Sequence, residues 1–105
     1  MRKIEREMNK AIAQRKSWRL NNTSVYYEEG NEISRVYLFG NLIAEIGNNF
    51  VKLYDGGRRS MTTKSRLNSI LRENGIGNEV VFQKDRVWFI SYDNKTEEFV
   101  SGMTI

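Results

Sequence analysis

The chain has no cysteine and no histidine. Without cysteine there is neither a disulfide framework nor a thiolate metal site, and a reducing cytoplasmic setting is the natural expectation. Without histidine the commonest zinc ligand, the Ser-His and Cys-His nucleophile systems and the usual neutral-pH acid/base group are excluded as well. No apolar run approaches the ~18 residues that mark a membrane-spanning helix, and no apolar signal core follows the first basic residues. Neither a membrane partner nor export is expected. Surviving catalytic chemistries need a carboxylate pair, a lysine or an oxygen-ligated metal, and no spacing nominates one. The chain therefore reads as a non-enzyme with no cofactor, no metal and no small-molecule substrate.

The 105 residues, 39% of them hydrophobic, suffice for one small domain, residues 1–105, with a single core. The net charge is +4, unevenly placed: residues 1–19 hold seven Lys/Arg against two Glu, and the remainder is slightly acidic. Residues 2–18 place Ile4, Met8, Ala11, Ile12 and Arg15 at helical spacing, with Trp18 extending the stripe and no Gly or Pro interrupting. This predicts an amphipathic helix. Its basic face is either a solvated surface over an apolar stripe or a face laid on a polyanion such as nucleic acid. Asn21-Asn22-Thr23 ends it, and strands are expected at 24–27 and 33–39 around the acidic turn 28–32.

Val36 to Tyr54 is the organising stretch. Two apolar runs flank Gly40-Asn41 and a third follows Gly47-Asn48-Asn49, both loops offering residues that tolerate positive φ. A three-stranded antiparallel meander follows. A two-residue loop at Gly40-Asn41 pairs Phe39 with Leu42, Leu38 with Ile43, Tyr37 with Ala44 and Val36 with Glu45; a three-residue loop then pairs Ile46 with Phe50, Glu45 with Val51 and Ile43 with Leu53. In that register one face carries Val36, Leu38, Ile43, Val51 and Leu53, and the other Tyr37, Phe39, Leu42, Ala44, Ile46, Phe50 and Tyr54. Neither looks solvated, so one face lines the core and a helix or a second subunit covers the other. Glu45 is either a buried catalytic carboxylate or a structural one, a strand-end glutamate at the rim or one paired with a nearby arginine.

Asp55-Gly56-Gly57 closes the meander. Arg58 to Arg66 then holds four positive charges, no negative ones and four hydroxyls. Thr62 or Thr63 is a plausible N-cap for a helix to about Asn74, with Leu67, Ile70 and Leu71 buried and Gly75 as its stop. Free N–H groups at such an N-terminus, beside Arg58, Arg59, Thr62, Thr63, Lys64 and Arg66, make an anion or nucleic-acid seat; the alternative is that the hydroxyls only cap and the arginines only solubilise. Replacing Arg58 and Arg59 is expected to leave the fold alone, since both lie in a turn. The loop lacks the order of a P-loop, and Gly75-Ile76-Gly77 is too short for a dinucleotide fingerprint. Residues 79–84 and 87–92 form a hairpin across Asp85-Arg86, and 96–100 adds a last strand. Trp88 and Tyr92 share a side with Ile90, for core packing or base stacking.

Ile4-Glu5, Trp18, Asn22-Thr23-Ser24-Val25, Val36-Tyr37-Leu38, Gly40-Asn41, Ile43-Ala44, Thr62-Thr63-Lys64-Ser65-Arg66-Leu67 and Phe82-Gln83-Lys84 together resemble a group of small proteins encoded by marine phages, cyanophages above all. The resemblance spans most of the chain, is most specific at Thr62 to Leu67, and brings no catalytic residues. In architecture the chain also resembles the Sm-like barrels, which form rings and often bind RNA, although their strand signatures are missing and a helix interrupts the strands. The expected fold is α+β: an N-terminal amphipathic helix on a strongly bent antiparallel sheet or small open barrel, with a second helix near residues 63–74. The expected function is a phage-type non-enzymatic interaction module forming a homo-oligomer in the host cytoplasm. The alternative is an Sm-like nucleic-acid-binding module using residues 58–66.

Overall fold

The computed structural model describes residues 2–75 and 77–105; Ile76, in the expected Gly75-Ile76-Gly77 turn, lies outside them. The fold is α+β, as expected, with two helices and two antiparallel sheets. Strands β1 (Trp18–Leu20), β2 (Thr23–Glu28), β3 (Ile33–Leu38), β4 (Asn41–Ile46), β5 (Val51–Leu53) and β9 (Met103–Thr104) form a six-stranded sheet in that order; β6 (Val80–Lys84), β7 (Val87–Tyr92) and β8 (Lys95–Glu98) form a three-stranded one. Among the described residues the six-stranded sheet is bent but does not close into a barrel. Helices α1 (Lys3–Gln14) and α2 (Met61–Asn74) pack against each other, α1 on β1 and β2, α2 on β4 and β6. One buried cluster joins Met8 and Ile12 of α1, Leu67, Ile70 and Leu71 of α2, Val36, Leu38, Ile43 and Leu53 of the large sheet, and Trp88 and Ile90 of the small one.

Helix α1 is shorter than its periodicity. Arg15 adopts the left-handed conformation, its N–H reaches the Ile12 carbonyl, and the Lys16 N–H reaches that of Ala11. That is a Schellman stop with arginine where glycine is usual. The Arg15 side chain donates to Glu32 and to Asn48, each at 3.1 Å, which anchors the unusual residue. The chain turns, so Trp18 opens β1 instead of extending the helix.

The meander departs from the expected register by two residues beside the turn and by one beyond the bulge. The turn is Phe39-Gly40, both at positive φ, and Leu38 faces Asn41, Tyr37 faces Leu42, Val36 faces Ala44 and Arg35 faces Glu45. The next loop is correspondingly longer: Ile46 faces Val51, Glu45 faces Lys52 and Ala44 faces Leu53. A β-bulge absorbs the slip, leaving Ile43 without a partner across β3 so that both Ile43 and Ala44 are buried. The expected core face of Val36, Leu38, Ile43, Val51 and Leu53 therefore survives, while the opposite face changes character. It carries a cross-strand row of Tyr26, Arg35, Glu45 and Lys52 beside Tyr37 and Leu42, which is aromatic and charged rather than apolar.

Residues 80–84 and 87–92 pair across Asp85-Arg86 as expected, and Asp93-Asn94 forms a second two-residue turn with both residues at positive φ. Along the free edge of β6, the Asn68 side chain accepts from the Val81 N–H at 2.7 Å and donates to its carbonyl at 2.9 Å. A helix side chain thus occupies part of an edge that would otherwise invite strand pairing.

Candidate nucleic-acid interface

Ser60, not Thr62 or Thr63, is the N-cap of α2, its hydroxyl accepting from the Thr63 N–H at 3.1 Å. Thr63 is buried and its hydroxyl donates to the Arg58 carbonyl at 3.2 Å, which folds the 58–60 segment back over the helix start. Thr62 is half-buried and lines a groove of about 320 Å³ together with Arg58, Asp55, Phe39 and Asn41. That is room for a nucleotide-sized group. Arg58 is exposed and Lys64 half-buried, neither with an ion pair among the described residues.

The other two cations are committed elsewhere. Arg59 lies 3.2 Å from Asp55, donates to the Phe99 carbonyl at 3.2 Å, and sets its guanidinium 5.7 Å from the Trp88 ring and 5.4 Å from that of Phe99. It ties the loop to the small sheet, so replacing it will disturb the fold, contrary to what a turn position suggested. Asp55 is held below its ordinary value: burial pulls it up, but the Gly57 N–H and the Arg59 guanidinium outweigh that.

Arg66 points inward, its side chain only 4% exposed. It meets Glu5 of α1 at 3.0 Å, the Thr23 hydroxyl at 3.0 Å and the Asn22 side-chain oxygen at 3.3 Å, while Ser65 donates to the same Glu5 oxygen at 2.6 Å. The cause is periodicity: Thr63, Arg66, Leu67 and Ile70 form one buried stripe, and Glu5, Met8 and Ile12 form the facing one. Arg66 is a structural cation and drops out of the anion seat.

What the sequence reading missed is Phe39. It stands in the left-handed region at φ 52 in a two-residue turn, and the residue is 73% exposed. An aromatic residue is costly there, by about 1–2 kcal/mol, and strain of this kind gathers at functional positions. Phe39 lines the Arg58 groove and also a second one formed by Arg19, Asn21, Asn22 and Ser24. Phe39 thus belongs to both grooves, one of which holds Arg58 beside Asp55 and the other Arg19. The available signal was Phe39-Gly40 itself, where the residue before glycine was read as strand. Trp88, by contrast, is buried edge-on against Phe99, so it packs rather than stacks.

On the face of the large sheet, Glu45 accepts from Arg35 at 2.9 Å and from the Tyr54 hydroxyl at 2.6 Å. It is the arginine-paired glutamate of the two readings. The Tyr54 bond, and then Arg35, hold Glu45 below its ordinary 4.5 against the opposing pull of burial. Burial, and then Glu45, push Tyr54 up to about 12. The contribution of Tyr54 is therefore complete below pH 10.0 and lost as pH rises toward about 12; that of Glu45 is present above pH 4.5 and lost as pH falls through its lowered value. In an absorbance titration at alkaline pH, one tyrosine should ionise near pH 12, and Tyr54→Phe should remove that step.

No three acidic side chains among the described residues converge as metal ligands, and no helix among them is long and apolar enough to cross a membrane. The fold and this surface define a small two-sheet α+β protein with an aromatic turn shared by two grooves, each holding one arginine. The chain belongs to a cyanophage protein family, described as Kyanoviridae Gp96 protein, which matches residues 1–105. The resemblance to small cyanophage proteins thus holds over the whole chain. No match was found among curated proteins or among solved structures.

Proposed function

We propose that this protein is a non-enzymatic module that binds single-stranded nucleic acid on the surface around Phe39. The carrying observation is Phe39, 73% exposed in a strained turn and shared by one groove that holds Arg58 and another that holds Arg19. An unstacked base lies on the ring, and the flanking phosphates meet the arginines; duplex bases, already stacked, cannot use it. Binding requires no Sm-like pocket and no base-reading side chain. The setting is the host cytoplasm.

With Arg19 and Arg58 each neutralising one phosphate, log affinity for an oligothymidylate or oligouridylate should fall against log salt with slope about −1.4. Arg58→Ala should flatten the slope by ~0.7 and leave thermal stability unchanged. Fluorescence anisotropy at several salt concentrations measures both. Binding whose slope is indifferent to Arg58 contradicts the placement, and absence of binding at low salt ends the nucleic-acid reading. Self-association is a second reading, favoured by an apolar face on the small sheet.

A further inference from the structure

The second side of the three-stranded sheet carries Phe82, Val87 and Phe89, each half-buried, beside the exposed Val80, and no helix or strand among the described residues joins them to the buried cluster. Cross-strand partners share a face, so the rows Phe82–Phe89–Glu98, Lys84–Val87 and Val80–Ser91–Thr96 point away from the side on which Val81, Trp88 and Ile90 enter the core. Phe82 and Phe89 stack with centroids 5.7 Å apart, and Val80 is 41% exposed. None of Val80, Phe82, Val87 and Phe89 belongs to the buried cluster or packs against it. An antiparallel sheet with one solvated side has polar residues there.

We propose that this face is the contact between two copies of the chain, packed sheet on sheet about a two-fold axis parallel to the strands. The proposal deepens the self-association reading by naming the surface. Such an axis lays β6 of one copy over β8 of the other. Lys84 and Glu98 are both exposed and have no ion pair among the described residues. Their rows are two residues apart, ~7 Å along the strand, a distance two long side chains span. The two-fold therefore brings Lys84 of each copy to Glu98 of the other at the rim of the phenylalanine cluster. Charge complementarity selects a second copy, because one surface carries both halves of the pair in the arrangement that closed symmetry requires.

The face measures only ~17 by 14 Å from strand length and spacing, well under the ~800 Å² per partner of a standard interface, so the dimer is reversible and weak. The edges contribute little: Asn68 occupies part of that of β6, and β8 is exposed along its length and carries Lys95, Glu97 and Glu98.

Sedimentation equilibrium up to about 1 mM, with exposed residues reversed in sign, tests this without touching the core. The wild-type mass should climb from 12.3 kDa toward twice that value. Lys84→Glu alone and Glu98→Lys alone should each weaken the dimer roughly tenfold by setting like charges opposite one another at two symmetric positions. The double reversal should restore it to within about threefold. A strict monomer overturns the proposal together with self-association itself; a dimer equally strong in all four proteins overturns this face while leaving self-association standing.

Discussion

Arg66→Ala should lower unfolding stability by about 3–5 kcal/mol, because it strands the buried Glu5 carboxylate without its cation. Glu5 and Arg66 have side chains 2% and 4% exposed, joined at 3.0 Å, and they connect α1 to α2 while Thr23 and Asn22 bring in the β1–β2 turn. Against a total stability of ~5–15 kcal/mol for a domain of this kind, that loss is large enough to shift the thermal midpoint by at least about 12 °C. The pair is itself replaceable. Glu5→Leu with Arg66→Met removes both charges and fills a similar volume, so the double variant should be more stable than either single one, which urea titration of the four proteins measures. Equal stability of Arg66→Ala and wild type would mean that the ion pair is not buried as described.

Phe39→Gly should make the protein as stable as wild type or more so, by up to about 1 kcal/mol, while weakening single-stranded nucleic-acid binding roughly 5- to 150-fold. The two effects have separate causes. Glycine accepts the φ of 52 without steric cost, and a side chain on a residue 73% exposed gives up little packing when removed. A base loses its stacking partner, worth ~1–3 kcal/mol. Opposite changes in stability and binding distinguish a residue retained for contact from one retained for the fold. Thermal denaturation and an anisotropy titration on the same preparation read both; a variant that binds as tightly as wild type removes Phe39 from the interface.

How far the sequence anticipated these results depends on how strongly local pattern constrains each residue. The α2 stripe of Leu67, Ile70 and Leu71 and the hairpin at Asp85-Arg86 were legible because periodicity and turn position agree there. The core face of the meander was legible for a less direct reason: the bulge at Ile43 compensated the slipped turn, so the same residues point inward in either register. The outer face had no such protection, and the slip replaced its expected apolar surface with the Tyr26, Arg35, Glu45 and Lys52 row, which removes the large sheet as grounds for self-association. The end of α1 was hidden because an arginine, held by Glu32 and Asn48 far along the chain, takes a conformation usually signalled by glycine.

The candidate site was half legible. Composition located the basic segment 58–66 but could not divide its cations, and only position on the helix does so. Arg66 shares the stripe of Leu67 and Ile70 and faces Glu5, a complementary charge on the facing stripe of α1, so the pair was readable once the helices were known to touch. Arg59 is bound to Asp55 four residues back and to Trp88 and Phe99 29 and 40 residues on, and the two distant contacts leave no local trace. What remains for a ligand is Arg58 and Thr62, joined by Phe39 from the β3–β4 turn and by Arg19 from β1.

Amide chemical-shift mapping with an unlabelled oligothymidylate tests the central claim most directly, since it locates the contact rather than only detecting it. The account predicts perturbations concentrated at Phe39, Gly40 and Asn41, at Arg58 and Thr62, and at Arg19 and Asn21. Perturbations confined to the basic residues of α1, or no perturbation at millimolar oligonucleotide, would contradict it.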